Sequence, residues 1–120
     1  MKILVTAAES ALGTMLCQHL AREHDVVPTG RSDTADVDGY RCLDLTDPEA
    51  VATTLEGVDV VVHAVPCTGE QDREESEQEL LDCVSRSTYV LTTAACSRGV
   101  KRIVLLSTLD LMRSYDERFI

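Results

Sequence analysis

Basic residues are scarce in this sequence. Lys and Arg number 11 against 21 Asp and Glu, giving a formal net charge of -10 and a pI of about 4.6. Nucleic-acid surfaces hold phosphates with clustered Lys and Arg, so no nucleic-acid partner is expected. No apolar run reaches the roughly 18 residues of a membrane-spanning helix, so no membrane partner is expected either. The start lacks a basic segment followed by an apolar stretch and a cleavage site. No secretory leader is expected, and the cytoplasm is the expected compartment. Cys17, Cys42, Cys67, Cys83 and Cys96 are odd in number and contain no Cys-x-x-Cys pair. They read as small buried hydrophobes. His19, His24 and His63 stand at no metal-ligand spacing from a cysteine, so no metal site is expected.

Repeats, low-complexity tracts and linkers are missing as well. The 120 residues, 44% of them apolar, therefore read as one globular domain over 1–120, with a tail at 109–120 that takes no assignment. That length suffices for a single core and is small for a two-lobed enzyme. Carboxylates crowd the stretch from Glu70 to Glu79. A solvated loop and first helical turn account for them, since acidic side chains suit the positive end of a helix dipole.

What is present is a regular alternation. The opening Lys2-Ile-Leu-Val-Thr-Ala-Ala-Glu-Ser-Ala-Leu-Gly13 runs from a short apolar strand through a tight turn into an amphipathic helix. Strand–turn–helix units of this kind rest phosphates on the helix N-terminus. The helix is expected over about 10–23, with Leu12, Leu16 and Leu20 on one apolar stripe and Met15 beside it. Strands are expected at 2–6, 25–29, 40–43, 58–63 and 103–106. The polar stretch 31–39 leaves no room for a full helix between the second and third. Asp47 and Pro48 mark a helix start and Gly57 its end. A long helix is expected over about 75–97, turning Leu80, Val84, Leu91 and Ala95 toward the sheet. The resulting fold class is α/β, a doubly wound parallel sheet of Rossmann type with strand order 3-2-1-4-5. Ligands in such sheets bind beyond the strand C-termini at the switch point between strands one and four.

Three segments add specificity: Asp44-Leu-Thr-Asp-Pro-Glu49, Gly57-Val-Asp-Val-Val-Val-His63 and Gly99-Val-Lys-Arg-Ile-Val-Leu-Leu-Ser-Thr108. In this order the chain resembles the N-terminal half of an extended or atypical short-chain dehydrogenase/reductase, the NAD-dependent epimerase/dehydratase family. The resemblance runs from Lys2 to about Thr108. It implies a nucleotide cofactor as partner, with Thr6, Ala7, Ser10, Ala11, Leu12 and Gly13 on the family's Thr-Gly-x-x-Gly-x-Leu-Gly turn. Ala7 and Ser10 stand where that turn has glycine. Ser10 can serve there as an N-cap or as a phosphate-directed hydroxyl. Gly13 keeps the close approach of helix and strand.

The resemblance also implies roles further along. The position where NAD-dependent members carry an acidic residue is Gly30, followed by Arg31, whose guanidinium suits a 2′-phosphate. NADP is therefore the expected cofactor, NAD the second choice. Asp44 and Leu45 match the pair that meets the adenine, and Asp44 equally suits a turn cap before Asp47. His63, Ala64 and Val65 match the backbone that lines the cofactor after strand four, with His63 itself read as a packed, hydrogen-bonded side chain. Val84-Ser-Arg-Ser-Thr88 covers the family's Asn-Val-x-Gly-Thr, with the Asn replaced. Ser107 matches a cofactor-side hydroxyl, and Thr108 stands where the substrate carbonyl is met, the implied catalytic position; strand-end capping accounts for both hydroxyls equally well.

One expected motif is missing. Hydride transfer in this family uses a Tyr with a Lys four residues on, whose charge lowers the phenol pKa. Tyr40, Tyr89 and Tyr115 are followed at that spacing by Asp44, Thr93 and Phe119. The expectation is an NAD(P)-binding half truncated before the substrate lobe and not catalytic alone. It would expose apolar surface near strands four and five, and so favour a homo-oligomer or docking to the missing C-terminal part. Against it stand a non-catalytic NADP-sensing or protein-interaction module, and a fold remnant that binds nothing.

Overall fold

The computed structural model describes residues 1–64 and 77–106. Its elements, in chain order, are β1 (Lys2–Val5), α1 (Ala11–Leu20), β2 (Asp25–Gly30), β3 (Arg41–Cys42), α2 (Pro48–Thr54), β4 (Val60–His63), α3 (Glu77–Ser97) and β5 (Arg102–Leu105). The strands form one sheet in the order β3-β2-β1-β4-β5. Every pairing is parallel, with Val5 opposite both Pro28 of β2 and Val62 of β4. The chain has a Rossmann-like fold, and the stretch between β2 and β3 forms bends and turns rather than a helix.

Alternation along the strands divides the core in two, because successive side chains leave a strand on opposite faces. Ile3, Val5 and Val62 meet Ala8 and Cys17 on the α1 side. Leu4, Val27 and Val61 meet Val51 and Leu55 of α2 with Leu91 and Ala95 of α3 on the other. Apolar residues on both faces are what a covered parallel sheet requires. Asp47 caps α2, its carboxylate accepting from the N–H groups of Glu49 and Ala50, and Pro48 follows at the first helical position. Gly57, at φ +74°, turns the chain out of that helix into β4.

Two expectations on packing are corrected. Leu12 is 50% exposed and Met15 63% exposed. The inward face of α1 is instead Gly13, Leu16, Cys17 and Leu20, which at the helical period share an arc of about 100° that leaves Leu12 and Met15 outside. Cys17 is buried, but Cys42 lies on the short edge strand β3 and Cys96 on the outer side of α3, both exposed. Burial pushes the Cys17 thiol up from its ordinary pKa. Val65, Cys67 and most of the acidic stretch lie outside the described residues, as do Ser107, Thr108 and the tail. Among the described residues no helix is long and apolar enough to cross a membrane.

Candidate functional site

The C-terminal ends of β1, β2 and β4 open into a cleft, closed on one side by α3. It lies at the switch point of the strand order, where the two halves of the sheet diverge. Thr6, Ala7, Arg31, Asp44, Leu45, His63 and Ala64, all named from the sequence, line it together. Ser10, Ala11, Leu12 and Gly13 form the adjoining N-terminus of α1.

The first turn achieves its shape with unusual residues. Ala7 sits at φ 51°, in the left-handed region that favours glycine. Its carbonyl accepts from the Ser10 N–H at 3.0 Å and from Ser10 Oγ at 2.7 Å. Ser10 Oγ in turn accepts from the Gly13 N–H at 3.0 Å, which makes Ser10 the N-cap of α1. The Ser10 proton is thus committed within the turn. A Cβ at Gly13 would run into the Ala7 carbonyl oxygen and lie 2.8 Å from Ala8 Cα, so only glycine permits this helix–strand approach. The N–H groups of Ala11 and Leu12 have no acceptor among the described residues, and both residues are exposed. Two such donors on a helix N-terminus are suited to an anion.

His63 closes the floor. Its Nδ1 lies 2.9 Å from Thr6 Oγ1 and its Nε2 3.0 Å from Thr88 Oγ1. Thr6 Oγ1 also donates to the Ala64 carbonyl at 3.1 Å and accepts from the Ala64 N–H at 2.9 Å. The ring is 3% exposed, and burial holds its pKa below the ordinary histidine value. A neutral, doubly bonded imidazole is a brace between β1, β4 and α3.

Asp44 forms a turn. Its Oδ1 accepts from Thr46 Oγ1 at 2.6 Å and from the Thr46 N–H at 2.9 Å. These bonds, side chain first, hold its carboxyl below the usual range, with a smaller pull from Arg31. Both fall on Oδ1, so the turn cap leaves Oδ2 available to a ligand in the cleft.

Sequence reasoning missed Glu9. This residue lies in the β1–α1 turn, and its Oε1 accepts from the Arg31 N–H at 3.3 Å. Oε2 is buried with no hydrogen-bond partner among the described residues. Thr29 of β2 was also not singled out and lines the same cleft, together with Val84 and Ser87 from the α3 stretch that covers the family's Asn-Val-x-Gly-Thr. The signal for Glu9 was its neighbour in space: Gly30 carries no side chain, and a Cβ there would strike Glu9 Oε2 and lie 2.6 Å from Tyr40 Oη.

A switch-point cleft with a helix N-terminus beside it defines a nucleotide-binding α/β protein. Comparison with known proteins gives the family. The model of the NAD dependent epimerase/dehydratase family matches residues 3–117, and the chain belongs to that family. It is 27% identical over 115 residues to L-arabinose 1-dehydrogenase (NAD(P)(+)) of Haloferax volcanii, covering 96% of this chain and 44% of that protein. It is 30% identical over 125 residues to uronate dehydrogenase of Pseudomonas putida, covering 98% of this chain and 45% of the other. The crystal structure of uronate dehydrogenase from Agrobacterium tumefaciens superposes with a TM-score of 0.67 at 29% identity, over 89% of this chain and 40% of that one. The chain thus spans less than half the length of these relatives. It is an NAD(P)-binding domain, and a nicotinamide dinucleotide is its cofactor class.

Proposed function

We propose that this chain is the dinucleotide-binding half of a sugar dehydrogenase, competent to bind cofactor but not to transfer hydride alone. The Ala11 and Leu12 N–H groups, without an acceptor among the described residues and on the helix that starts beside the switch-point cleft, carry the reading. They would hold the pyrophosphate, with Gly13 keeping the helix close and Ser10 fixing the turn. Asp44 and Leu45 would take the adenine, the carboxylate accepting from its amine and the leucine covering the ring. Thr6, Ala7, Ala64 and Val65 would line the path toward the nicotinamide. Ser107 and Thr108 would stand at the reacting end, Thr108 meeting the substrate oxygen.

When bound, the nicotinamide supplies the hydride acceptor. A Tyr-x-x-x-Lys pair, missing from this sequence, would have to come from elsewhere for the proton step. The sugar class rests on the relatives, whose names are those of an arabinose and a uronate dehydrogenase. One uronate dehydrogenase was crystallised with NAD in a mutant form. The choice of dinucleotide turns on two neighbouring residues. Arg31 is the case for NADP, and the Glu9 carboxylate beside it is the case for NAD.

Calorimetric titration with NADH and with NADPH tests the reading. Binding of at least one, with a Kd on the order of micromolar, is expected. Silence with both would sink it and leave the interaction-module alternative.

A further inference from the structure

Family members that use NAD place a carboxylate at the end of the second strand, and here that position is Gly30. The space is not vacant. Glu9 reaches across from the β1–α1 turn, and a Cβ built on Gly30 would strike its Oε2 and lie 2.6 Å from its Cδ. Absence of a side chain at position 30 is therefore what admits the Glu9 carboxylate.

The two oxygens of that carboxylate differ in state. Oε1 accepts from the Arg31 N–H, which fixes the group at the tip of β2. Oε2 is buried and has no partner among the described residues. Tyr40 Oη is near, but its proton goes to the Ser32 carbonyl at 2.7 Å. Its phenol is pushed up to about 12, by burial first and then by the negative charge of Glu9, so it stays a neutral neighbour. A buried acceptor without a donor is costly. Oε2 is closed off from the cleft, so a ligand entering the Glu9-lined cleft meets the carboxylate at Oε1.

We propose that Glu9 is the cofactor-selecting residue of this chain, accepting from the 2′-hydroxyl of the adenine ribose and disfavouring a 2′-phosphate in spite of Arg31. This rests on the dinucleotide reading above. A diol offers a hydroxyl donor to the carboxylate at Oε1. A 2′-phosphate offers no donor to a carboxylate and adds like charge beside it, the repulsive element that specificity requires.

The test is titration of the chain and its variants with NADH and NADPH. The chain itself prefers NADH. In Glu9→Gln the ratio of the two affinities falls by about tenfold or more toward NADPH, the scale of one charged hydrogen bond exchanged for repulsion. Arg31→Ala then weakens NADPH in the Glu9→Gln background. The double variant Glu9→Ala with Gly30→Asp moves the carboxylate to the strand end and restores the NADH preference. It also answers for a Glu9→Gln protein that does not fold. Binding that favours NADPH, or a ratio unmoved by Glu9→Gln, overturns the proposal while leaving the dinucleotide reading intact. Failure of both nucleotides to bind the parent chain overturns the two together.

Discussion

His63 Nε2 lies 3.0 Å from Thr88 Oγ1, so one imidazole ties the end of β4 to the middle of α3. Its other nitrogen reaches Thr6 on β1. Burial lowers the His63 pKa from its ordinary 6.5, so the folded state resists protonation and the unfolded chain accepts a proton first. The stability this group contributes is therefore fully present above pH 6.5 and lost as pH falls from there through the folded value. Urea midpoints measured between neutral and mildly acid pH should fall in that window. The slope should flatten in His63→Leu, whereas an equally steep profile in that variant would assign the loss to other groups.

Ala7 occupies a left-handed backbone conformation at φ 51°. An L side chain there is strained by roughly 1–2 kcal/mol. Glycine relieves that strain but adds unfolded-state entropy worth about 0.4–1 kcal/mol. The net expectation for Ala7→Gly is stabilisation of about 0.5–1 kcal/mol, read as a higher denaturation midpoint. A lower midpoint would mean that contacts of the buried Ala7 methyl outweigh the strain.

Gly13 stands in the opposite situation, since its need is for space. Any side chain there drives into the Ala7 carbonyl and the Ala8 backbone, neither of which has room to rotate away. Gly13→Ala should cost about 3 kcal/mol or more, as overpacking against fixed backbone does. Thermal unfolding of the variant near ambient temperature is the expected result. A melting curve close to that of the parent chain would show that α1 can shift outward without penalty.

Much of this architecture is written locally. The β-branched runs at β1 and β4, and the Asp47-Pro48 start of α2, each contain their own instruction, so topology and core were legible from pattern. Less legible was anything depending on which atoms meet across the sheet. Leu12 fits an i, i+4 stripe with Leu16 and Leu20, yet that spacing does not say where the buried arc of α1 is centred. Glu9 reads as an ordinary turn residue until Gly30 is placed opposite it, a relationship between positions 21 apart that no spacing rule encodes. Ser10 allowed two roles, and only the direction of its hydroxyl bond separates them.

That separation is measurable. Ser10 Oγ is engaged with Ala7 and Gly13, so its work is done before any ligand arrives. Ser10→Ala should cost about 1 kcal/mol of stability, the usual loss for an N-cap. Nucleotide affinity should change by less than about tenfold, because the helix N-terminus offers an anion its backbone N–H groups. A variant that is as stable as the parent but fails to bind would return Ser10 to the role of phosphate-directed hydroxyl.

The last consequence concerns the sheet edge. Among the described residues β5 is the last strand of the sheet, and Val104 and Leu105 are 39% and 57% exposed on it. An edge strand with unpaired backbone groups and apolar side chains is a template for another chain. Self-association rising with concentration is therefore expected in sedimentation velocity, with a second copy of this chain covering the edge. Leu105→Lys should shift the distribution toward monomer, since a charge on an edge strand opposes pairing. A strictly monomeric species at high concentration would show that the β5 edge is already covered within the chain.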